Sequence, residues 1–470
     1  MVKVRIAPAP TGPFHVGTAR SALFNYIFAK KHGGVFILRI EDTDSTRADA
    51  VYENDIRDGL SWLGLNWDEF YRESERLAVY KEYLTKLYDS ANIFWCSHSK
   101  DELARERENQ MQAHEAPRHV CAFRDGGSGA GNSKQSILRF KNDRKQTIDF
   151  NDIIRGKISF NPELLGDFSV ARSLESPLYN FAVVVDDSLM EITHVIRGED
   201  LISSTPKQIL LLHALKFVVP EYAHLPLILS TDRSKLSKRK GPTSISQYRK
   251  EGYLADAMIN FLALLGWHDK ESQDDDIFSL EELIEKFELK NVQKSGAIFD
   301  IKKLDWVNGE YIRKKLVSDL CVDLAEFLKP EWQEKIKADT GKWEKIVALE
   351  QPRLTRLGDI GARIDYFFDE PYILKEELGW KNQSPIAISE NLRNLKEILS
   401  AIPEEQFNRE RVEKEITPFA EKAGIGETLW PMRYALTGKR ASPGPFEIAD
   451  ILGKEKTIMR ISMALELLAP

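Results

Sequence analysis

The first forty residues leave few folds open to this chain. Residues 2–7, in which Val2, Val4 and Ile6 alternate with Lys3 and Arg5, read as a buried strand. Pro8-Ala9-Pro10-Thr11-Gly12-Pro13-Phe14 follows; its three prolines fix φ and lack an N–H, which keeps the segment out of helix and central strand. Ala19, Ala22, Leu23, Tyr26 and Ile27 then recur at helical spacing within residues 16–31, and Gly33-Gly34 stops the helix. Residues 35–40 are a second buried strand. Strand, loop, helix, strand is a βαβ unit, which predicts a parallel sheet with its ligand crevice at the strand C-termini.

With 470 residues the chain has room for about three domains. Hydrophobic residues make up 42% and charged residues 30%, an ordinary globular balance. No apolar run approaches the roughly 18 residues of a membrane span. The N-terminus opens on strand-like alternation in place of a signal peptide's apolar stretch, so the expected compartment is the cytoplasm. Three cysteines, an odd number, cannot make a disulfide framework and suit a reducing compartment. A net charge of −7 argues against a protein that coats nucleic acid over its whole surface. A local stripe remains, since residues 233–250 hold seven Lys or Arg and no Asp or Glu.

Further along, residues 86–177 change character: a charged helix at 101–114, a glycine-rich loop at 126–131 and short strands at 137–141 and 147–152 read as an inserted α+β module. Residues 181–185 and 191–196 have strand character and are expected to complete the first sheet before an apolar helix at 209–215. Helical periodicity dominates after about residue 247, as in Leu316, Leu320, Leu324 and Phe327. Five segments are expected: 1–85 with 178–230, 86–177, 231–315, 316–390 and 391–470.

Gly12 and Gly17 stand at phosphate-loop spacing, but Thr18 and Ala19 replace the Lys and Ser/Thr which that loop requires. What remains is His15-Val16-Gly17-Thr18 at a helix mouth, whose free N–H groups and dipole favour phosphate. A lone surface histidine is the bland alternative. About 220 residues downstream lies Lys235-Leu236-Ser237-Lys238-Arg239-Lys240, which alone reads as a solvated face or a nucleic-acid patch. Cys96 and His98, with His119 and Cys121, supply four donors suited to tetrahedral zinc; buried residues without metal are the alternative. Cys321 sits at an apolar helical phase and is expected in the core.

Taken together, the run from Pro8 to Thr18, the Arg39 to Asp44 segment with Glu41, the Val195 to Asp200 segment with Arg197, and Lys235 to Arg239 resemble the glutamyl-tRNA synthetases of bacterial type over nearly the whole chain. The resemblance implies a Rossmann-like class I catalytic domain carrying an inserted acceptor-end module, a signature-loop and stem-contact domain, and a two-part all-α anticodon-binding half. His15, Gly17 and Thr18 match the HIGH signature, and Lys235, Leu236, Ser237, Lys238 and Arg239 match the KMSKS signature. The implied substrates are L-glutamate, ATP with Mg2+, and tRNA(Glu), and a monomer is expected. The 2′-hydroxyl of the terminal adenosine is acylated first in class I, and relatives need tRNA to activate glutamate. Arg5, Ala7, Glu41, Tyr179 and Arg197 match positions that serve glutamate; for each arginine taken alone, a structural salt bridge is the alternative. Zinc-bearing relatives carry Cys-x-Cys where Cys96-x-His98 stands, and their second pair lies a few residues beyond His119 and Cys121. The helical half disfavours a small-molecule nucleotidyltransferase, and intact His15, Lys235 and Lys238 disfavour a decayed RNA-binding relative.

Overall fold

The opening βαβ unit forms where its pattern places it. In the computed structural model, which describes residues 1–43, 48–125, 136–236, 243–269 and 277–469, β1 (Lys3–Ile6) leads into α1 (Val16–Lys31) and β2 (Val35–Ile40). β1 and β2 are parallel, with Lys3 opposite Val35 and Ile6 opposite Leu38. Next come α2 (Ala50–Trp62) and β3 (Glu69–Arg72), the latter extending the parallel ladder beside β2. Ala19, Ala22, Leu23, Phe24 and Ile27 bury α1 against its neighbours.

After α3 (Leu77–Asp89) come β4 (Ile93–Cys96) and α4 (Lys100–Gln112). A capping box of Ser99 and Glu102 starts α4, which buries no residue, as its charged sequence demands. Five short strands follow: β5 (Ile137–Phe140), β6 (Ile148–Asp152), β7 (Gly156–Phe160), β8 (Phe168–Ser173) and β9 (Ser176–Pro177). β4, β5, β8 and β9 make an antiparallel sheet. The β6–β7 hairpin leaves that sheet and joins another. In β6 the period of two buries Ile148, Phe150 and Asp152 on one face.

Three expectations are corrected here. Residues 181–185 are not a strand but part of α5 (Tyr179–Leu189). A five-residue apolar run cannot distinguish a strand from a helix buried on all sides. This helix is of that kind, with every residue from Phe181 to Asp187 buried. Burying each large side chain is worth about 1.5–3 kcal/mol, well above the tenths that valine's branching costs a helix. The strand expected at 191–196 starts later, as β10 (His194–Gly198), because Glu191 takes a left-handed turn with φ 57°. After α6 (Thr205–Ala214), β11 (Glu221–Leu225) pairs parallel with β10, and Tyr222 opposite Asp152 joins β6 to it. Lys3 O accepts from Thr193 N–H at 2.9 Å, which sets β10 beside β1. The expected completion of the first sheet is thereby corrected as well: β10 lies beside β1 but the ladders stay separate, three strands in one and β10-β11-β6-β7 in the other, because β10 takes β11 as its ladder partner.

The chain divides into two compact units, Met1–Arg249 with Ala255–Leu304, and Lys250–Leu254 with Asp305–Pro470. Among the described residues, every element that lies wholly in the second unit is helical, in keeping with the all-α expectation. Its core gathers Trp332, Ile346, Leu392, Leu395, Val412, Met432, Ile448 and Ile461. Cys321 is buried there, as its helical phase predicts. Among the described residues no helix is long and apolar enough to cross a membrane.

Candidate active site

Within the first unit, a cleft of about 630 Å3 opens at the C-terminal ends of β1 and β10. One wall is the start of α1. His15 is its N-cap, and its Nδ1 accepts from Gly17 N–H at 3.1 Å. In the neutral ring this places the proton on Nε2, which stands 3.2 Å from Thr18 Oγ1. A Cβ at position 17 would lie 3.0 Å from the His15 ring, so Gly17 makes room for the imidazole itself. The first turn of α1 holds no acidic residue to offset the helix dipole. Upstream, the proline-rich loop is pinned by Asp55, whose Oδ2 accepts from Phe14 N–H at 2.6 Å, and by Glu41 N–H donating to Pro8 O at 3.1 Å.

The second motif reaches the same cleft. Lys235 and Leu236 line it, with Leu236 N–H donating to Ile228 O at 3.1 Å and Lys235 bridged to Leu229. On the far side of the segment, Thr243 O accepts from Val16 N–H at 2.9 Å, the second residue of the HIGH-like tetrad. Ser237, Lys238 and Arg239 lie outside the described residues.

Arg5, Ala7, Glu41, Tyr179 and Arg197 all line the cleft. The two arginines are engaged differently. Arg5 forks onto Asp187, with Nε and Nη2 donating at 3.0 and 3.1 Å. Arg39, wholly buried in β2, donates to the same carboxylate at 2.7 Å and stands 3.5 Å from Glu41. Burial opposes the charge on Asp187, yet Arg5 and Arg39 hold its carboxyl below the usual range. Burial pushes the Glu41 carboxyl up, against the pull of Arg39 and Arg5. Glu73 is raised as well, by burial and then by Glu41's charge. Arg197 instead donates to His224 and Thr205, and its Nη1 is buried without a partner.

Away from the cleft, Cys96, His98, His119 and Cys121 bring one donor atom each within 4.8 Å of one another. Cys96 Sγ lies 3.4 Å from His98 Nδ1 and 3.6 Å from His119 Nε2, and Cys121 Sγ lies 3.5 Å from His98 Nδ1. Zinc bonds of about 2.3 Å to sulfur and 2.05 Å to nitrogen put S and N about 3.5 Å apart at the tetrahedral angle. The donor set therefore fits zinc. His119 Nδ1 meets Glu106 at 2.5 Å, the carboxylate support that metal-bound imidazoles commonly have.

The description "tRNA synthetases class I (E and Q), catalytic domain" fits residues 1–306 of this chain, and "Anticodon binding domain" fits residues 322–465. The chain belongs to the class I tRNA synthetase family. This synthetase is 42% identical to the glutamate–tRNA ligase of Aquifex aeolicus, across 100% of this chain and 99% of that one. It is 40% identical to that of Desulforamulus reducens, across 99% and 100%. A crystal structure of a glutamate tRNA ligase from Elizabethkingia meningosepticum in complex with its amino acid matches it with a TM-score of 0.88, at 33% identity and full coverage of both chains.

Sequence reasoning missed several buried residues that stand behind the lining of the synthetase's cleft: Asp187 and Arg39 beside Arg5 and Glu41, Glu73 near Glu41, and His224 with Asp152 behind Arg197. A signal was present for some of them. An arginine inside the apolar strand Val35–Ile40 needs a buried carboxylate partner, and Asp186-Asp187 closes the apolar run Phe181–Val185.

Proposed function

We propose that this synthetase attaches L-glutamate to tRNA(Glu) in two steps. A carboxylate oxygen of glutamate attacks the α-phosphorus of ATP and the bond to pyrophosphate breaks, giving glutamyl-adenylate. A hydroxyl of the terminal adenosine of tRNA, the 2′-hydroxyl first, then attacks the acyl carbon and AMP leaves. One observation carries the reading: a single cleft joins a phosphate-favouring helix mouth to a pocket with buried arginines and a carboxylate.

The nucleophile is the substrate's own carboxylate, so activation needs no protein base; positioning and charge stabilisation supply the rate. His15, through Nε2–H, and the N–H groups at Gly17 and Thr18 favour the α- and β-phosphates. Lys235 and Lys238 neutralise the departing pyrophosphate beside Leu236, Ser237 and Arg239, and ATP enters as its magnesium complex. Arg5 and Arg197 bind the side-chain carboxylate, with Ala7 and Tyr179 shaping the pocket. Glu41 takes the α-ammonium, whose charge offsets the desolvation that raises the empty carboxyl. Cys96, His98, His119 and Cys121 would hold one structural zinc, fixing residues 96–121 to one another.

Residues 86–177 are assigned to the acceptor end, 231–315 to the stem, and 316–390 with 391–470 to the anticodon. The enzyme is read as a cytoplasmic monomer. Glutamate-dependent ATP–pyrophosphate exchange tests the reading. Exchange with tRNA present and not without it is expected, followed by glutamate ester on tRNA(Glu). Exchange independent of tRNA, or no acceptance of glutamate, refutes the reading.

A further inference from the structure

Among the described residues, Arg197 is held by neutral acceptors alone. Its Nε–H donates to His224 Nε2 at 3.2 Å and its Nη2 to Thr205 Oγ1 at 2.9 Å, while Nη1 is buried with no partner. Among the described residues it forms no ion pair, in contrast to Arg5 and Arg39, which share Asp187. His224 is fully buried in β11, and its Nδ1 lies 2.7 Å from Asp152 Oδ2. That carboxylate is saturated with donors: Oδ2 also accepts from His224 N–H at 3.0 Å, and Oδ1 accepts from the Ile154 and Arg155 N–H groups at 3.0 and 2.8 Å. The proton between His224 and Asp152 therefore sits on Nδ1, and Nε2 is left as a lone-pair acceptor aimed at Arg197. Asp152, Arg155 and Arg197 are the charged groups that act on the ring. Burial above all, with the two arginines, outweighs Asp152 and keeps the imidazole neutral. The Tyr222 ring lies parallel to His224 at 5.9 Å and 5.6 Å from the Arg197 guanidinium.

We propose that Asp152 and His224 are a positioning dyad that fixes Arg197 without giving it a carboxylate partner, so that the cleft selects an amino acid whose side chain ends in a carboxylate over its amide. This rests on the glutamate reading above. A neutral amide would leave a buried guanidinium without an ion pair, whereas a carboxylate supplies the partner that is absent among the described residues. His224 orients the fork without neutralising it; a carboxylate at that position would cancel the charge that discriminates.

The test uses the full-length enzyme. In 15N-histidine-labelled protein at neutral pH, with the His224 signals assigned from their loss in His224→Gln, the dyad requires a protonated Nδ1 and a bare Nε2. A protonated Nε2 overturns it, and this readout needs no variant to be active. In aminoacylation, His224→Phe keeps ring volume and removes the acceptor. It should raise the glutamate KM by about tenfold or more, with the ATP KM unchanged and the preference for glutamate over glutamine reduced. His224→Gln, whose Oε1 can accept from Arg197, should recover most of that loss. An unchanged glutamate KM in His224→Phe overturns the proposal. So does equal damage by both variants to the glutamate KM, the ATP KM and kcat. Should His224→Phe fail to fold, the tautomer and the His224→Gln kinetics decide. Failure of the underlying pocket reading looks different: Arg197→Gln would then leave the glutamate KM unchanged.

Discussion

Replacing Arg5 by alanine separates two roles that its geometry combines. Two of its nitrogens fork onto Asp187 at 3.0 and 3.1 Å, and the residue also lines the cleft. Breaking a buried ion pair from one side costs about 3–5 kcal/mol. Arg39 still reaches Asp187 at 2.7 Å, so the lower end, about 3 kcal/mol, is expected. For a unit of this size that is roughly 6 °C in the melting temperature of the catalytic unit. The substrate part is one charge-assisted hydrogen bond of about 1.5–3 kcal/mol, or roughly a 10- to 100-fold rise in the glutamate KM. The ATP KM should hardly move. Arg5→Lys keeps a cation beside Asp187 and loses the fork, so it should recover much of the stability while the KM stays high. Steady-state aminoacylation at varied glutamate, paired with calorimetry, gives both numbers. A lower melting temperature with an unaltered glutamate KM in Arg5→Ala would show that the residue serves Asp187 alone, and the pocket assignment would fall.

Three further outcomes are expected. His15→Ala should slow activation by about 10²-fold, the usual effect of losing one donor to a transition state, and leave tRNA affinity intact; equal loss of both would point to a binding role. The purified protein should carry about one equivalent of zinc, and Cys96→Ala should release it with the glutamate KM unchanged; elemental analysis finding no zinc in protein prepared without chelator ends that assignment. Glu73 is buried with Oε1 unpartnered, and burial with Glu41's charge raises its pKa above the unfolded value. The stability it contributes is complete below the unfolded pKa and is lost as pH rises through the folded one. Glu73→Gln, neutral throughout, should therefore gain stability on the parent between pH 5 and pH 8, and parallel stability curves would contradict this.

What could be read in advance divides along physical lines. The βαβ opening was legible because prolines, helical spacing and a glycine pair bound each element locally, from residue 2 to residue 40. Cys96, His98, His119 and Cys121 were legible by residue type, although only the fold brings two pairs 20 residues apart within bonding range. Residues 181–185 were misread since an apolar run that short has no period to measure. That error hid Asp187: two residues beyond a strand end it would read as a loop carboxylate, yet on α5 it faces Arg5 and Arg39. Asp152 and His224 were invisible for another reason. Their meeting depends on the β6–β7 hairpin leaving its neighbours for β11, a pairing that no local pattern announces.

The anchors of the lysine-bearing segment have a consequence for rate. One end is tied at Leu236 to Ile228 and the other at Thr243 to Val16, both through backbone atoms that no substitution other than proline removes. On the proposed role of Lys238, its ammonium group would meet the phosphates at an effective concentration fixed by the length of chain between the two anchors instead of by its affinity for them. Lengthening the segment between the same two anchors would dilute that cation, with roughly the −3/2 power of the added length, while every residue of the signature remained in place.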